Sequence, residues 1–143
     1  VESDKINIID WINLSGDRSY DIGKIIENIK ANIGKGIAIV VIQKGENREL
    51  GRGGDYTRDM ADVYFSLDPL NIIGTRLTVG KVKAFKHSVT GRCWGFEIRD
   101  FGANLANIRE LKKCYSCHGS GKSSFGKECI ACNGKGWLDD ERH

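Results

Sequence analysis

KINIIDW (Lys5 to Trp11) and GIAIVVIQ (Gly36 to Gln43) are the two stretches on which the fold turns. Each is a short run rich in β-branched aliphatic residues, the texture of a strand buried on both faces of a parallel sheet. Between them Ile22, Ile25, Ile26, Ile29 and Ile33 recur at helical spacing, separated by lysines and glutamate. Asp17 to Tyr20 is polar turn material in which Ser19 is placed to cap that helix, and Gly34 and Gly36 stop it. Strand, helix, strand in this order is a βαβ unit, whose crossover is expected to be right-handed. The fold class is therefore α/β.

Beyond Gln43 the texture changes. KGENRELGRGGDY (Lys44 to Tyr56) is glycine-rich and charged, too polar to bury, and reads as a mobile surface loop. Thr57 is placed to cap one turn of helix running to Met60, and Val63 to Leu67 reads as a strand closed by Pro69. Arg76 to His87 and Arg92 to Asp100 are extended runs joined by SVTG (Ser88 to Gly91), the pattern of a β-hairpin. Phe101 to Lys113 is expected to be a connector with some helix. Cys93 is expected to be a small buried side chain, and Trp11, Trp94 and Trp137 to be packing residues.

The 143 residues are 40% hydrophobic and 29% charged, which suits one soluble domain with a core and a small appendage. A net charge of +3 is too small to argue for nucleic acid by itself, so any basic surface has to be local. No apolar run is long enough to span a bilayer and no signal peptide opens the chain, so a cytoplasmic protein without a membrane partner is expected. The first residue is Val1 and the only methionine is Met60, the pattern expected of a fragment or a processed product.

From Cys114 onward glycine is dense and apolar residues are scarce, so a metal has to replace the missing core. CYSCHGSG (Cys114 to Gly121) and CIACNGKG (Cys129 to Gly136) are two copies of CxxCxGxG. Two cysteines two residues apart can share a metal because the chain turns tightly between them, and the glycines supply the left-handed backbone the turn needs. Cys114, Cys117, Cys129 and Cys132 together offer four thiolates, the donor set of one structural zinc per chain with no open position. Binding of that kind drives folding with about 10–16 kcal/mol of apparent free energy.

Competing signals in the tail are weaker. Cys114 to His118 spells CxxCH, a haem-attachment pattern, but the second copy has Asn133 at that place. A redox CxxC is disfavoured because a duplicated, glycine-flanked pair is ligand architecture. GSGKSS (Gly119 to Ser124) imitates the end of a phosphate-binding GxxxxGK[ST] loop, yet Ser116 stands where its first glycine belongs and no strand precedes it. The CxxCxGxG repeat resembles the cysteine-rich zinc region of DnaJ-type chaperones. The resemblance covers the tail alone, with two repeats where that family has four, so it implies one zinc and no chaperone activity.

In the body, the apolar strand ending in Asp10 has the form of a Walker B element, in which an acid at the strand's carboxyl edge holds magnesium through water. Asp10, a helix, a strand ending in Gln43, a glycine-rich basic loop, and a hairpin with Lys81 and Lys83 follow one another in order. That order resembles the second half of a RecA-fold ATPase of the DnaB-type hexameric helicase group, over about Ile6 to Asp100. The resemblance implies that Gln43 senses the γ-phosphate of Mg-ATP and that Lys44, Arg48, Arg52, Gly53 and Gly54 belong to a DNA-contacting loop. Lysine and arginine there would neutralise phosphates and the glycines would allow close backbone approach. Lys81 and Lys83 match an element that reaches a neighbouring subunit's nucleotide, although lysine at the second position departs from the family's arginine.

Plainer readings stand beside these. Gln43 can simply end a strand, Lys81 and Lys83 can be the solvated face of an edge hairpin, and Glu46 and Glu49 interrupt the basic loop. No Walker A sequence occurs in the chain, so it is not expected to hydrolyse ATP alone. The expected organisation is a partial RecA-like sheet with a C-terminal hairpin over 1–100, a connector over 101–113, a zinc module over 114–137 and a polar tail over 138–143. DNA, further copies of the chain and a protein docked on the zinc tail are the expected partners. The alternative is a non-enzymatic, zinc-stabilised module that binds protein or nucleic acid.

Overall fold

The computed structural model describes residues 1–10, 12, 21–45, 48–70, 74–84 and 86–141. Trp11 and the Asp17 to Tyr20 turn with Ser19 lie outside the described residues. The elements are β1 (Ile6–Ile9), α1 (Asp21–Asn32), β2 (Ile37–Val40), α2 (Asp55–Met60), β3 (Val63–Pro69), β4 (Gly74–Val82), β5 (Cys93–Arg99), β6 (Asn104–Lys113) and β7 (Trp137–Asp139), with short 3-10 turns at Asp100–Gly102 and Ile130–Cys132. The fold is mixed α/β. Two compact units are formed, Val1–Tyr64 with Lys81–Ala84 and Phe65–Gly80 with Phe85–His143.

In the first unit β1 and β2 pair in parallel, from Ile6 opposite Ile37 to Ile9 opposite Val40. The pairing runs on past both strands, with the Val41 amide donating to Ile9 (3.0 Å) and the Ile12 amide to Val41 (3.1 Å). Helix α1 places Asp21 in its first turn and Lys30 in its last, both favourable to its dipole. Its isoleucine stripe packs on one face of the strand pair: Ile12, Ile22 and Ile26 form the buried cluster, ringed by Ile9, Ile25, Ile29, Val40, Ile42 and Met60. After the helix the chain doubles back against its own start, the Asp4 amide donating to Ile33 (2.9 Å). A Cβ at Gly36 would collide with the Lys5 carbonyl there, so only glycine lets β2 begin beside β1.

Strand burial on both faces does not hold. Ile6, Ile8, Ile37, Ile39 and Val41 are exposed, because the parallel sheet has two strands and the one helix packed on it covers one side. The α2 helix starts at Asp55, two residues before Thr57, with Gly54 at its N-cap position. Thr57 is inside the helix, buried, and its hydroxyl donates back to the Gly54 carbonyl (2.8 Å).

The larger sheet is antiparallel, in the order β3-β4-β5-β6-β7. A RecA-like sheet over 1–100 is not shown, since among the described residues parallel pairing is confined to β1 and β2. A parallel neighbour requires a long crossover, whereas β4, β5 and β6 follow one another through short connections that favour antiparallel pairing. The hairpin expected between 76 and 100 is present as β4 and β5, from Gly74 opposite Glu97 to Thr78 opposite Cys93, with β4 ending at Val82 rather than His87.

The segment expected to be a connector with some helix is β6. Leu105, Ile108 and Leu111 recur every three residues, a spacing that helices share. In β6 a bulge opposite Gly95 to Glu97 of β5, where Asn107 adopts φ 52, gives the strand an extra residue, and of the three only Leu111 is buried while Leu105 and Ile108 are exposed. Nor is 138–143 wholly a polar tail. Trp137–Asp139 forms β7, paired with Leu111 to Lys113. Arg76 in β4 lies over the Trp137 ring at 4.3 Å and donates to Asp68 (3.0 Å), while Arg109 in β6 bonds Asp139 (2.7 Å). Cys93 is buried as expected, opposite Leu111 and 3.4 Å from the Thr78 hydroxyl.

No helix among the described residues is long and apolar enough to cross a membrane. Replacing the fully buried Ile22 by alanine is expected to destabilise the first unit by about 2–5 kcal/mol, read from urea denaturation followed by helical circular dichroism. A shift below about 0.5 kcal/mol, the usual scale for surface changes, would remove Ile22 from the core.

Candidate metal centre

The two CxxCxGxG copies fold as near images of one another, offset by 15 residues. The Cys114 amide donates to the Gly136 carbonyl and the Cys129 amide to the Gly121 carbonyl, each at 2.9 Å. Each copy thus holds the first cysteine of the other. The same exchange explains the last glycine of each repeat. A Cβ on Gly121 would strike the Gly134 carbonyl oxygen, and one on Gly136 would strike that of Gly119. Both glycines also adopt positive φ, 71° and 77°. Even the flanks correspond, since Lys122 bridges Glu128 as Trp137 pairs with Lys113.

The crossing converges four sulfurs. The Sγ atoms of Cys114, Cys117, Cys129 and Cys132 lie within 4.8 Å of one another, and all four residues are buried. Cys114 to Cys129 is 3.9 Å and Cys117 to Cys132 is 3.7 Å. Disulfides are far shorter, about 2.05 Å, and all five cysteines are free. Tetrahedral zinc with sulfur at about 2.3 Å requires sulfurs about 3.8 Å apart. The donor set and its spacing therefore fit one structural zinc, enclosed on all sides with Leu138 packed against the cluster.

Backbone donors prepare the sulfurs for charge. The Gly136 amide donates to Cys132 Sγ at 3.1 Å. At Cys117 burial opposes ionisation, but the Gly119 and Gly121 amides and the neighbouring thiols outweigh it and pull the thiol well below its ordinary value. Burial pushes the Cys132 thiol up, and its neighbours add to that push. Cys117 is thus drawn towards the thiolate while Cys132 resists it, and a bound cation would favour the ionised form of both. Because the four thiols of the two repeats converge on this cage and are buried, Cys114 and Cys117 are not presented for haem attachment. GSGKSS lies within the knuckle with no helix behind it, so it does not form a phosphate loop.

The body residues group differently. Asp10 follows β1 and Gln43 lies just beyond β2, so both leave the parallel pair at its carboxyl edge, and both are exposed. The loop after Gln43 is tied shut at its base: the Arg52 amide donates to the Gln43 carbonyl (2.9 Å), Lys44 bridges Gly51, and the Tyr64 hydroxyl accepts from the Gly51 amide (2.8 Å). Arg48 and Arg52 are exposed on it, and Gly53 and Gly54 turn the chain into α2 with φ 93° and 57°.

Lys81 and Lys83 are engaged inside the first unit. Lys81 Nζ donates to the carbonyls of Arg58 (3.1 Å) and Asp59 (2.6 Å) near the end of α2. Lys83 lies 3.5 Å from Asp62, whose carboxyl is held below the usual range chiefly by its bond from Lys30. Sequence reasoning did not find Tyr64 as the clasp of the loop, and no local signal marks it. It named the knuckle glycines for their turn, but their packing across the two repeats is visible only in the fold.

No family model matches this chain, and no curated protein or solved structure is similar to it.

Metal analysis is expected to find one zinc per chain at neutral pH, released on acidification because protons compete for the same sulfurs. Gly121→Ala and Gly136→Ala are each expected to weaken zinc binding although neither touches the metal. Wild-type affinity in both, measured by chelator competition, would overturn the crossed-repeat account.

Proposed function

We propose that the four thiolates hold one structural zinc, and that the chain is the C-terminal part of a nucleic-acid-dependent, oligomeric ATPase of RecA/DnaB type. The observation that carries the motor reading is the parallel register of β1 and β2. It brings Asp10 and Gln43 out at one carboxyl edge, where open α/β sheets bind their ligands, with the glycine-rich basic loop beginning at the same edge. On this reading Asp10 positions magnesium through water and Gln43 responds to the γ-phosphate. The clasped loop from Lys44 to Asp55 passes that state to DNA through Arg48 and Arg52. The chain contains no GxxxxGK[ST] loop, so residues outside these 143 would have to cradle the phosphates.

A second reading is a non-enzymatic, zinc-stabilised binding module. It is favoured by Lys81 and Lys83, whose amines serve as internal ties to α2 and Asp62 rather than reaching outward.

The readings separate in the natural full-length polypeptide. Asp10→Asn is expected to abolish DNA-stimulated ATP hydrolysis while zinc content stays at one per chain. Unchanged turnover would remove Asp10 from the magnesium site, and absence of any ATPase in the parent protein would leave the binding module.

A further inference from the structure

The outer surface of the zinc module carries a charge pattern that the cage does not use. Between Lys112 and Gly136 stand five lysines, Lys112, Lys113, Lys122, Lys127 and Lys135, against Glu128 alone. Lys112 lies 3.7 Å from Asp140, while the other four make no ion pair among the described residues. Nor are they spent on the sulfurs, whose bonds come from backbone amides and neighbouring thiols. A zinc held by four thiolates would keep a net charge of about −2. With Glu128 this offsets part of the lysine charge and still leaves the outer face with an excess of positive charge that would attract a polyanion.

Shape adds to charge. The bridge between Lys122 and Glu128 closes a short arm whose turn is held by the Ser123 amide on Lys127 (2.7 Å) and the Gly126 amide on Ser123 (2.9 Å). At its tip Phe125 is 88% exposed, on a turn that offers it no packing partner. Beside the arm runs an open groove with Leu70 at one side and Ser120, Gly121, Lys122, Gly134 and Lys135 along it, with Glu128 the one acidic residue in its lining. Glycine walls let a ligand backbone approach closely, and Lys122 and Lys135 line the groove with ammonium groups that can meet an anion. Tyr115, at the tip of the first knuckle, is a second exposed aromatic.

We propose that this face of the zinc module binds single-stranded nucleic acid, with Lys122 and Lys135 on phosphates in the groove and Phe125 stacking on an unpaired base. A protruding aromatic ring distinguishes this ligand from a duplex, whose bases are already stacked, and from an acidic peptide, which offers carboxylates without flat rings. The proposal does not rest on the ATPase reading.

The test uses the zinc-loaded 143-residue chain and a short fluorescein-labelled oligothymidylate, with anisotropy titrations over a range of salt. Replacing Lys122 and Lys135 together by glutamine is expected to weaken binding and lower the salt slope by about 1.4, two single-strand phosphates at about 0.7 each. Lys122→Arg with Lys135→Arg is expected to restore both. Phe125→Ala, at an exposed tip that cannot disturb the fold, is expected to cost about tenfold in affinity with the salt slope unchanged. Zinc stoichiometry measured on each variant reports an intact module. Wild-type affinity and slope in both the glutamine and the alanine variants would overturn the proposal. So would displacement of the oligonucleotide by polyglutamate as effective as by unlabelled oligothymidylate, which would point to an acidic protein. Loss of binding only in Arg48→Gln with Arg52→Gln would likewise overturn it and assign the strand to the clasped loop.

Discussion

Four thiols within 4.8 Å of one another are the constraint on which the second unit depends. Buried thiols that close cannot all ionise without a cation, and without ionisation they contribute little to a segment so poor in apolar residues. The two repeats solve the geometric half of the problem by exchange, each supplying the carbonyl that anchors the other's first cysteine. Each repeat has turn bonds of its own, the His118 amide to Cys114 and the Gly134 amide to Cys129, but the last glycine of each lies against backbone of the other, so the two are completed by packing together. A metal bound by all four thiolates would favour that packed form.

The cage is also fastened to the sheet. Strand β7 leaves the second knuckle to pair with β6, the strand that enters the first, so a metal in the cage would close a loop whose two ends are hydrogen-bonded neighbours. Arg76 over Trp137 and Arg109 on Asp139 tie this end to β4 and β6. The first unit is held by a different means. Its cluster is made of apolar side chains from α1, from β1 and β2 with the residues just beyond them, and from Met60 of α2, and its stability comes from area removed from water rather than from coordination.

That contrast bears on function. A metal held by all four thiolates would have no position at which a substrate could meet it, so its part would be to shape a surface. The surface around the cluster is basic, glycine-walled and tipped by an exposed ring. Asp10 and Gln43 both lie beyond the carboxyl ends of the paired strands β1 and β2. Lys81 and Lys83 belong to the support of that unit, one on the end of α2 and the other on Asp62.

Sequence alone determined the elements whose signal is local. The isoleucine spacing of α1, the β-branched runs of β1 and β2, the β4–β5 hairpin and the four metal ligands could all be read, because each is a periodicity or a spacing within a few residues. What only tertiary structure decided was pairing and coverage. It made 104–113 a bulged strand, turned 137–139 into that strand's partner, and left one face of β1 and β2 open. It also set Lys81 against the carbonyls of α2. The physical reason is the same in each case. Which backbone lies alongside which, and which face a neighbour covers, depends on contacts between residues far apart in the chain, and a period of two or three along one strand does not record them.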